Sequence, residues 1–185
     1  MSKKILVPLA DGFEMLEALG VVDVFRRAGV HVDMAAVGEN LQVTSSHDVK
    51  IFADKFLADC TEEIYDLIVL PGGIPGADNL KNSSMLAELL KKQNREDRLY
   101  GAICASPAVV LEHHGLLEGK NATCHPLFAD RLRTQEHARE HVVIDRNCVT
   151  SKGAGTSIEF GLELLGILMG EEAKKEVAKG MALEL

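Results

Sequence analysis

Tryptophan is absent from the 185-residue sequence, and all aromatic residues together make up only 4% of it. The core must therefore be built from aliphatic side chains, and a hydrophobic content of 46% is enough for a globular fold. No apolar run approaches the length that a membrane-spanning helix needs. The N-terminal segment MSKKILVPLADG lacks a small-residue cleavage site, which favours a first β-strand over a secretion signal. We therefore expect a cytoplasmic protein with no membrane partner.

A surplus of positive charge is missing too. Lysine and arginine number 20 against 28 aspartates and glutamates, and the formal net charge is -8. Nucleic-acid-binding domains carry basic patches, so this balance argues against nucleic acid as the main partner. The glycine-rich loop at residues 71–77 lacks the G-x-G-x-x-G spacing, which disfavours a nucleotide cofactor.

The cysteines form no C-x-x-C pair; they are Cys60, Cys104, Cys124 and Cys148. In a chain of this size without a secretion signal, widely spaced cysteines are typical of free thiols. Cys124 and His125 are the only adjacent pair of soft metal ligands, and nothing accompanies them at the spacing of a zinc finger. We predict neither a disulfide framework nor a metal site.

Strand-like and helix-like segments alternate along the chain. Continuous apolar strands that alternate with helices are typical of a parallel sheet covered on both faces. We therefore predict a doubly wound α/β sandwich with a mostly parallel sheet. No internal repeat or linker is visible, so residues 1–185 are expected to form a single domain. The predicted strands cover 4–10, 31–37, 65–73 and 98–103, with a hairpin over 41–52 and a ribbon over 141–151; the predicted helices cover 14–29, 82–96, 155–170 and 171–181, and another follows Cys104.

Three loops follow predicted strands directly, at residues 10–17, 71–77 and 103–107. Ligands of open α/β sheets bind at the carboxyl ends of the strands. We therefore expect these loops to meet at one edge of the sheet and to form the functional site.

Cys104 lies where a strand-like run ends and a helix-like run begins. A nucleophile on such a sharp turn needs small neighbours, and Ala102 and Ser106 flank the thiol at the spacing of the glycines in a G-x-S-x-G elbow. N–H groups at a helix N-terminus favour the thiolate and lower the pKa of the thiol. A buried, unreactive cysteine is the alternative, because free cysteines commonly fill protein cores.

Glu17 is the second candidate, since its helix is apolar nearly all round. Such a helix is buried by the sheet or by a partner subunit. Burial raises the pKa of a carboxyl group, and a protonated Glu17 could donate a hydrogen bond to a thiolate. The alternative is that Glu17 points into solvent through a gap in the apolar surface. Its apolar neighbours are Leu16, Ala18, Leu19, Val21, Val22 and Val24.

His125 and the glycine loop complete the set of candidates. His125 is a plausible base or proton shuttle, and Pro126 fixes the exit of its loop. Taken alone, such a histidine is more typical of a surface or structural position. Gly72 and Gly73 allow a close approach of backbone N–H groups to a ligand, where they could stabilise an oxyanion.

Five segments together resemble the ThiJ/PfpI superfamily, and within it the branch that contains a deglycase. The resemblance covers essentially the whole chain, and it implies a flavodoxin-like fold and a homodimer with the first helix near the interface. The segments are ADGFEMLEALGVVDVFRRAGV (10–30), YDLIVLPGGIPGADNL (65–80), GAICASPAVVL (101–111), ATCHPL (122–127) and TSKGAGTSIEFGLELL (150–165).

The resemblance also implies a role for each matching site residue. The nucleophilic, oxidation-sensitive cysteine corresponds to Cys104, the protonated glutamate to Glu17 and the histidine to His125. An aspartate that can reach the histidine across the dimer in relatives corresponds to Asp23. The backbone donors of the oxyanion site correspond to Gly73 and Ala105, and Gly72 helps to shape the loop.

The sequence departs from the family pattern at four places. Ser106 stands where close relatives usually have glycine or alanine, and Ala154 replaces the usual proline of a G-P-G-T segment. Met15 stands where some relatives carry a second acidic residue. His47 replaces an arginine found near the site in some relatives, which puts an anion-binding role at that position in doubt.

Two functional hypotheses use the same residues. The first is a cofactor-independent glyoxalase or deglycase, in which the Cys104 thiolate attacks methylglyoxal, glyoxal or an early glycation adduct to give a hemithioacetal. The second is a redox-responsive protein or chaperone that is controlled by oxidation of Cys104 to the sulfinate. A cysteine peptidase is a weaker alternative, because Ala105 stands where the peptidase branch typically carries histidine.

Overall fold

Continuous apolar strands pair into a mostly parallel sheet in the computed structural model, which describes residues 3–184. The strands are β1 (Lys4–Leu9), β2 (His31–Ala36), β3 (Gln42–Thr44), β4 (Lys50–Phe52), β5 (Lys55–Phe56), β6 (Leu67–Leu70), β7 (Leu99–Ile103), β8 (Val142–Asp145) and β9 (Cys148–Ser151). In this part of the chain, seven strands form one sheet in the order β5-β2-β1-β6-β7-β9-β8, and β3 pairs with β4 in a separate hairpin. Within the sheet, β8 alone runs antiparallel to its neighbour. The predicted doubly wound, flavodoxin-like fold is confirmed.

Helices cover both faces of the sheet, and each face has its own hydrophobic core. The helices are α1 (Met15–Arg27), α2 (Gly76–Asn82), α3 (Ser84–Arg95), α4 (Ser157–Met169) and α5 (Glu171–Gly180). Val21, Phe160 and Val177 bring α1, α4 and α5 onto one face. Leu80 and Leu90 bring α2 and α3 onto the other. Within the described residues, every helix is too short or too polar to cross a bilayer.

Helix α1 begins at the carboxyl end of β1 and carries Glu17 in its first turn. Glu14 is the N-cap, and its carboxylate accepts the Leu16 N–H at 3.4 Å. Close packing against α4 fixes the helix, since a side chain at Gly161 would lie only 3.2 Å from Val24. The sequence thus places Glu17 between the sheet and a neighbouring helix.

Two helical segments differ from the prediction. The glycine-rich segment after β6 forms α2, and Ser83 then caps α3 by accepting the Leu86 N–H at 3.3 Å. After Cys104, the chain forms a π-helical turn at Pro107–Leu111 instead of a regular helix. Such wide turns are rare and occur frequently at functional sites.

Candidate active site

Cys104 follows the last residue of β7 and adopts a left-handed backbone conformation, with φ of 64°. A residue with a side chain is strained there and stays only where its surroundings hold it. The Cys104 N–H donates to the carbonyl of Ser151 at 3.0 Å, and the Cys104 carbonyl accepts the His125 N–H at 2.8 Å. These bonds hold the predicted elbow between β9 and the loop that contains His125. Cys104 is half-buried, whereas the other three cysteines are buried, and all four are free thiols.

Glu17 is buried beside the thiol, with only 1% of its surface exposed. Its Oε2 accepts the Gly72 N–H at 2.7 Å, and the carboxyl group also contacts the Cys104 thiol. Oε1 is buried and has no hydrogen-bond partner of ordinary geometry among the described residues. Burial raises the pKa of Glu17 from 4.5 to about 7, although the Gly72 N–H acts in the opposite direction. A proton on Oε1 would remove a buried charge and create a donor for the sulfur.

The thiol is less acidic than the sequence analysis predicts. Burial, followed by the negative charge of Glu17, raises the pKa of Cys104 to about 12. The N–H groups of Gly73 and Ala105 lower the pKa of Cys104, as predicted for a thiol at the start of a helix-like run. Burial and the charge of Glu17 outweigh them. The Glu17 contribution reverses once that carboxyl is protonated, because a neutral acid donates to a thiolate and does not repel it. The protonation states of Glu17 and Cys104 are therefore coupled.

The glycine loop after β6 closes around the pair. A side chain at Gly72 would lie 2.7 Å from Cys104 Cβ and 2.8 Å from Glu17 Oε2. Gly73 has a φ of +86°, and a side chain there would lie 2.4 Å from the carbonyl of Gly12. Only glycine fits at both positions, which explains the sequence of the loop.

His125 joins Cys104 at the cleft and begins a short 3₁₀-helix at Pro126–Arg131. Its Nδ1 accepts the Leu127 N–H at 3.3 Å, so the proton of the neutral ring lies on Nε2. His125 can therefore donate through Nε2 while neutral and can accept a further proton at the cost of the Leu127 bond.

These residues line an open cleft of about 470 Å³. The cleft confirms that the three predicted loops meet at one edge of the sheet. Glu14 and Lys152 also line the cleft but were not among the site residues predicted from the sequence. Both follow the carboxyl end of a strand, and the rule that ligands bind there would have identified them. The lining residues are Glu14, Glu17, Gly73, Cys104, His125, Pro126, Lys152, Gly153, Ala154, Gly155 and Thr156.

Ser106 and Asp23 do not line the cleft. Ser106 is fully buried, and its hydroxyl donates to the Pro71 carbonyl at 2.5 Å, so it ties the elbow to the glycine loop. Asp23 accepts from Arg27 Nε at 2.8 Å on the exposed side of α1. Its role across a dimer interface remains a prediction.

The departure at His47 has a structural account. His47 is exposed, with Nδ1 3.3 Å from Glu14 Oε2, and Ser46 donates to the same oxygen at 2.9 Å. His47 thus reaches the site only through Glu14.

Among residues 3–184, no cluster of three or more His, Cys, Asp or Glu side chains is placed to hold a metal ion.

The fold and the site define a class: α/β proteins with a half-buried cysteine on a sharp turn after a strand, next to a buried carboxyl group. The sequence matches the DJ-1/PfpI family over residues 3–166, and the chain belongs to that family.

Curated relatives and solved structures agree with this assignment. The chain is 46% identical over 176 residues to protein DJ-1 homolog B of Arabidopsis thaliana, covering 95% of this chain but only 40% of that protein. It thus spans less than half the length of this relative. It is 34% identical over 184 residues to the glutathione-independent glyoxalase DJR-1.2 of Caenorhabditis elegans, with 98% and 96% of the two chains covered. The oxidized DJ-1 of Toxoplasma gondii superposes with a TM-score of 0.97, at 38% identity and 100% coverage of both chains.

Proposed function

We propose that the protein is a cysteine-dependent, cofactor-independent glyoxalase or deglycase that converts methylglyoxal or glyoxal to lactate or glycolate. The observation that carries this proposal is the contact between the buried Glu17 carboxyl and the half-buried Cys104 thiol at the base of an open cleft. A relative that is named a glutathione-independent glyoxalase supports the same substrate class. Early glycation adducts of these aldehydes contain the same former aldehyde carbon, so the proposal includes them as substrates.

In the first step, the Cys104 thiolate attacks the aldehyde carbon of methylglyoxal. A carbon–sulfur bond forms, and the carbonyl electron pair moves to oxygen. The N–H groups of Gly73 and Ala105, which lower the pKa of the thiol, would stabilise the developing oxyanion. A proton delivered to that oxygen from His125 or Glu17 gives the neutral hemithioacetal.

In the second step, a proton moves from the former aldehyde carbon to the neighbouring carbonyl carbon. Glu17 or His125 removes it and returns it, so one carbon is oxidised and its neighbour is reduced without an external electron acceptor. The product is a thioester of lactate on Cys104. Water then hydrolyses the thioester and regenerates the thiol, so the net reaction adds one water to methylglyoxal.

We include a homodimer and a cytoplasmic location in the proposal. Most of α1 is buried within one chain, but Leu16 and Leu19 remain 52% and 36% exposed. Neighbouring exposed leucines on one helix could pack against a second copy of the chain, which is the contact that the proposal assigns to them. A monomer in sedimentation at micromolar concentration would contradict the dimer and remove the argument for Asp23.

A redox-responsive protein or chaperone is the second candidate, and one observation favours it. Cys104 is the least buried of the four thiols and lies against a carboxyl group that donates when protonated. Two peroxide molecules would each transfer an oxygen to the sulfur and leave as water, giving a sulfinate that Glu17 can hydrogen-bond. The similar structure from Toxoplasma gondii is described as oxidized.

One comparison tests both candidates. We expect wild type and a Cys60→Ala control to form lactate from methylglyoxal, and Cys104→Ala and Glu17→Ala to lose this activity. Mass spectrometry after mild peroxide treatment should find sulfinate at Cys104 before the other cysteines. If wild type forms no more lactate than Cys104→Ala yet acquires the sulfinate selectively, the glyoxalase proposal is wrong and the redox function stands. If Cys104 is neither required nor selectively oxidised, both are wrong.

A further inference from the structure

A second cavity of about 580 Å³ adjoins the catalytic cleft. The two share Pro126 and Lys152 in their linings, so the second cavity lies next to the cleft. Its lining combines two alanines with the polar side chains of Gln135, Arg139 and Lys152. The second cavity is lined by Pro126, Ala129, Gln135, Ala138, Arg139 and Lys152.

Lys152 links the two spaces through the backbone of β9. It follows Ser151, whose carbonyl accepts the Cys104 N–H at 3.0 Å, so its main chain is fixed beside the nucleophile. The Lys152 N–H donates to the His141 carbonyl at 3.0 Å, and its Nζ donates to the Arg139 carbonyl at 3.3 Å. The Lys152 ammonium group is thereby held next to Arg139, whose guanidinium group is the second cation of the cavity.

The charges of this cavity are uncompensated. Neither Lys152 nor Arg139 makes a salt bridge within residues 3–184, although the whole chain has a net charge of -8. Nearby carboxylates have other partners, since Glu140 pairs with His137 and Glu159 with His141. An ammonium and a guanidinium beside an apolar wall are suited to bind a carboxylate.

The available space exceeds what methylglyoxal needs. Pockets of about 300–1,000 Å³ bury ligands of drug size, and each of the two spaces lies within that range. We propose that the preferred substrates are α-oxoaldehydes that carry a carboxylate, with the aldehyde at Cys104 and the carboxylate between Lys152 and Arg139. This inference rests on the proposed function and specifies its substrate class.

Dioxovalerate is the probe, because it carries a carboxyethyl chain in place of the methyl group of methylglyoxal. The chemistry is unchanged: sulfur adds to the aldehyde carbon, a proton moves to the neighbouring carbon, and water releases hydroxyglutarate. The methyl ester of dioxovalerate has the same chain without the charge. We expect kcat/KM for the acid to exceed that for the ester by about tenfold, and Arg139→Gln and Lys152→Gln to remove most of that ratio.

The matched control is Arg133→Gln, because Arg133 pairs with Glu112 outside this cavity and should leave the ratio unchanged. If wild type forms lactate from methylglyoxal but treats acid and ester alike, the inference is wrong and the proposed function stands. If no lactate forms, the subsite can still be tested by calorimetric binding of dioxovalerate and its methyl ester to Cys104→Ala. Tighter binding of the acid than of the ester supports the subsite if this difference is lost in Cys104→Ala/Arg139→Gln. Equal binding overturns it.

Discussion

Replacing Glu17 by glutamine tests the proton on which the site depends. Glutamine keeps an oxygen that can accept the Gly72 N–H, but it has no charge at any pH. Wild type should therefore lose stability with rising pH relative to Glu17→Gln. The comparison isolates one carboxyl group, because every other titrating residue is common to both proteins.

The magnitude follows from the two pKa values. The pKa of Glu17 is about 7 in the folded protein and 4.5 ordinarily, so the folded state holds this proton more tightly than the unfolded chain does. Its stabilising contribution is complete below about pH 4.5 and is lost as the pH rises through about 7. At about 1.4 kcal/mol per pH unit, the loss is about 3 kcal/mol. Glu17 is almost fully buried, so solvent screening does not reduce this figure much.

Urea unfolding at a fixed protein concentration, from about pH 5 to about pH 8, measures the effect. The difference in unfolding free energy between wild type and Glu17→Gln should change by most of the 3 kcal/mol over this range, in favour of the variant at high pH. Glu14→Gln alters a carboxylate of the same cleft and should retain most of the pH dependence of wild type, because the Glu14 charge is the smallest of the causes that act on the pKa of Glu17. A difference between wild type and Glu17→Gln that does not vary with pH would refute a raised pKa at Glu17.

Three further predictions concern the neighbouring structure. Gly72→Ala places a methyl group 2.7 Å from Cys104 Cβ, which must displace the thiol. Because a displacement of about 1 Å can greatly slow a reaction, lactate formation should fall at least about tenfold. Unchanged turnover would contradict the close approach of Gly72 to Cys104. Ser106→Ala leaves the buried Pro71 carbonyl without its hydroxyl donor and should cost about 1–3 kcal/mol in urea unfolding, whereas no loss would show that water replaces the hydroxyl. Asp33→Asn removes the buried charge that pairs with Lys4 and Lys55, which both keep Glu63 as a partner, and should cost about 2 kcal/mol in urea unfolding at neutral pH, at about 1.4 kcal/mol for each pH unit by which the pKa of Asp33 is lowered. Because the pKa of Asp33 is lowered from 3.8 to about 2, that wild-type stabilisation should persist above about pH 4 and be lost as the pH falls through 2.

The sheet could be predicted because its central strands β1, β6 and β7 are almost entirely apolar and each is followed by a turn. Such runs require burial on both faces, and that requirement fixes the fold class before any contact is known. The meeting of three loops at one edge follows from the same rule. The segment 76–82 was not predicted as a helix, because two glycines and a proline at its start obscure the helical pattern; packing of Ala77 and Leu80 against the core outweighs that local preference.

The site could be predicted less completely, because its energetics depend on contacts between distant segments. The burial of Glu17 was visible in the apolar pattern of α1, but Gly72 as its hydrogen-bond partner lies 55 residues away. The same holds for Ser106, whose hydroxyl finds the Pro71 carbonyl. Local sequence suggested an acidic thiol at Cys104, whereas burial and the Glu17 charge reverse that direction. The position of Cys104 along the chain predicts the edge of the sheet at which it lies. Only the contacts it makes there with distant segments determine whether its pKa is raised or lowered.

The two candidate functions require the same protonation state, so the Cys104–Glu17 pair alone does not separate them. A thiolate that attacks an aldehyde and a sulfinate that persists after oxidation are both stabilised by a protonated Glu17. Conversion of an aldehyde also moves a proton between carbons, and oxidation of sulfur does not. The groups that distinguish the functions are therefore others near the thiol: His125 with its Nε2 proton, and the cavity that shares Lys152 with the cleft. The proposed enzyme would use a substrate-sized cavity whose two cations make no salt bridge among residues 3–184, whereas an oxidation sensor would not, and this difference is what the acid and ester substrates test.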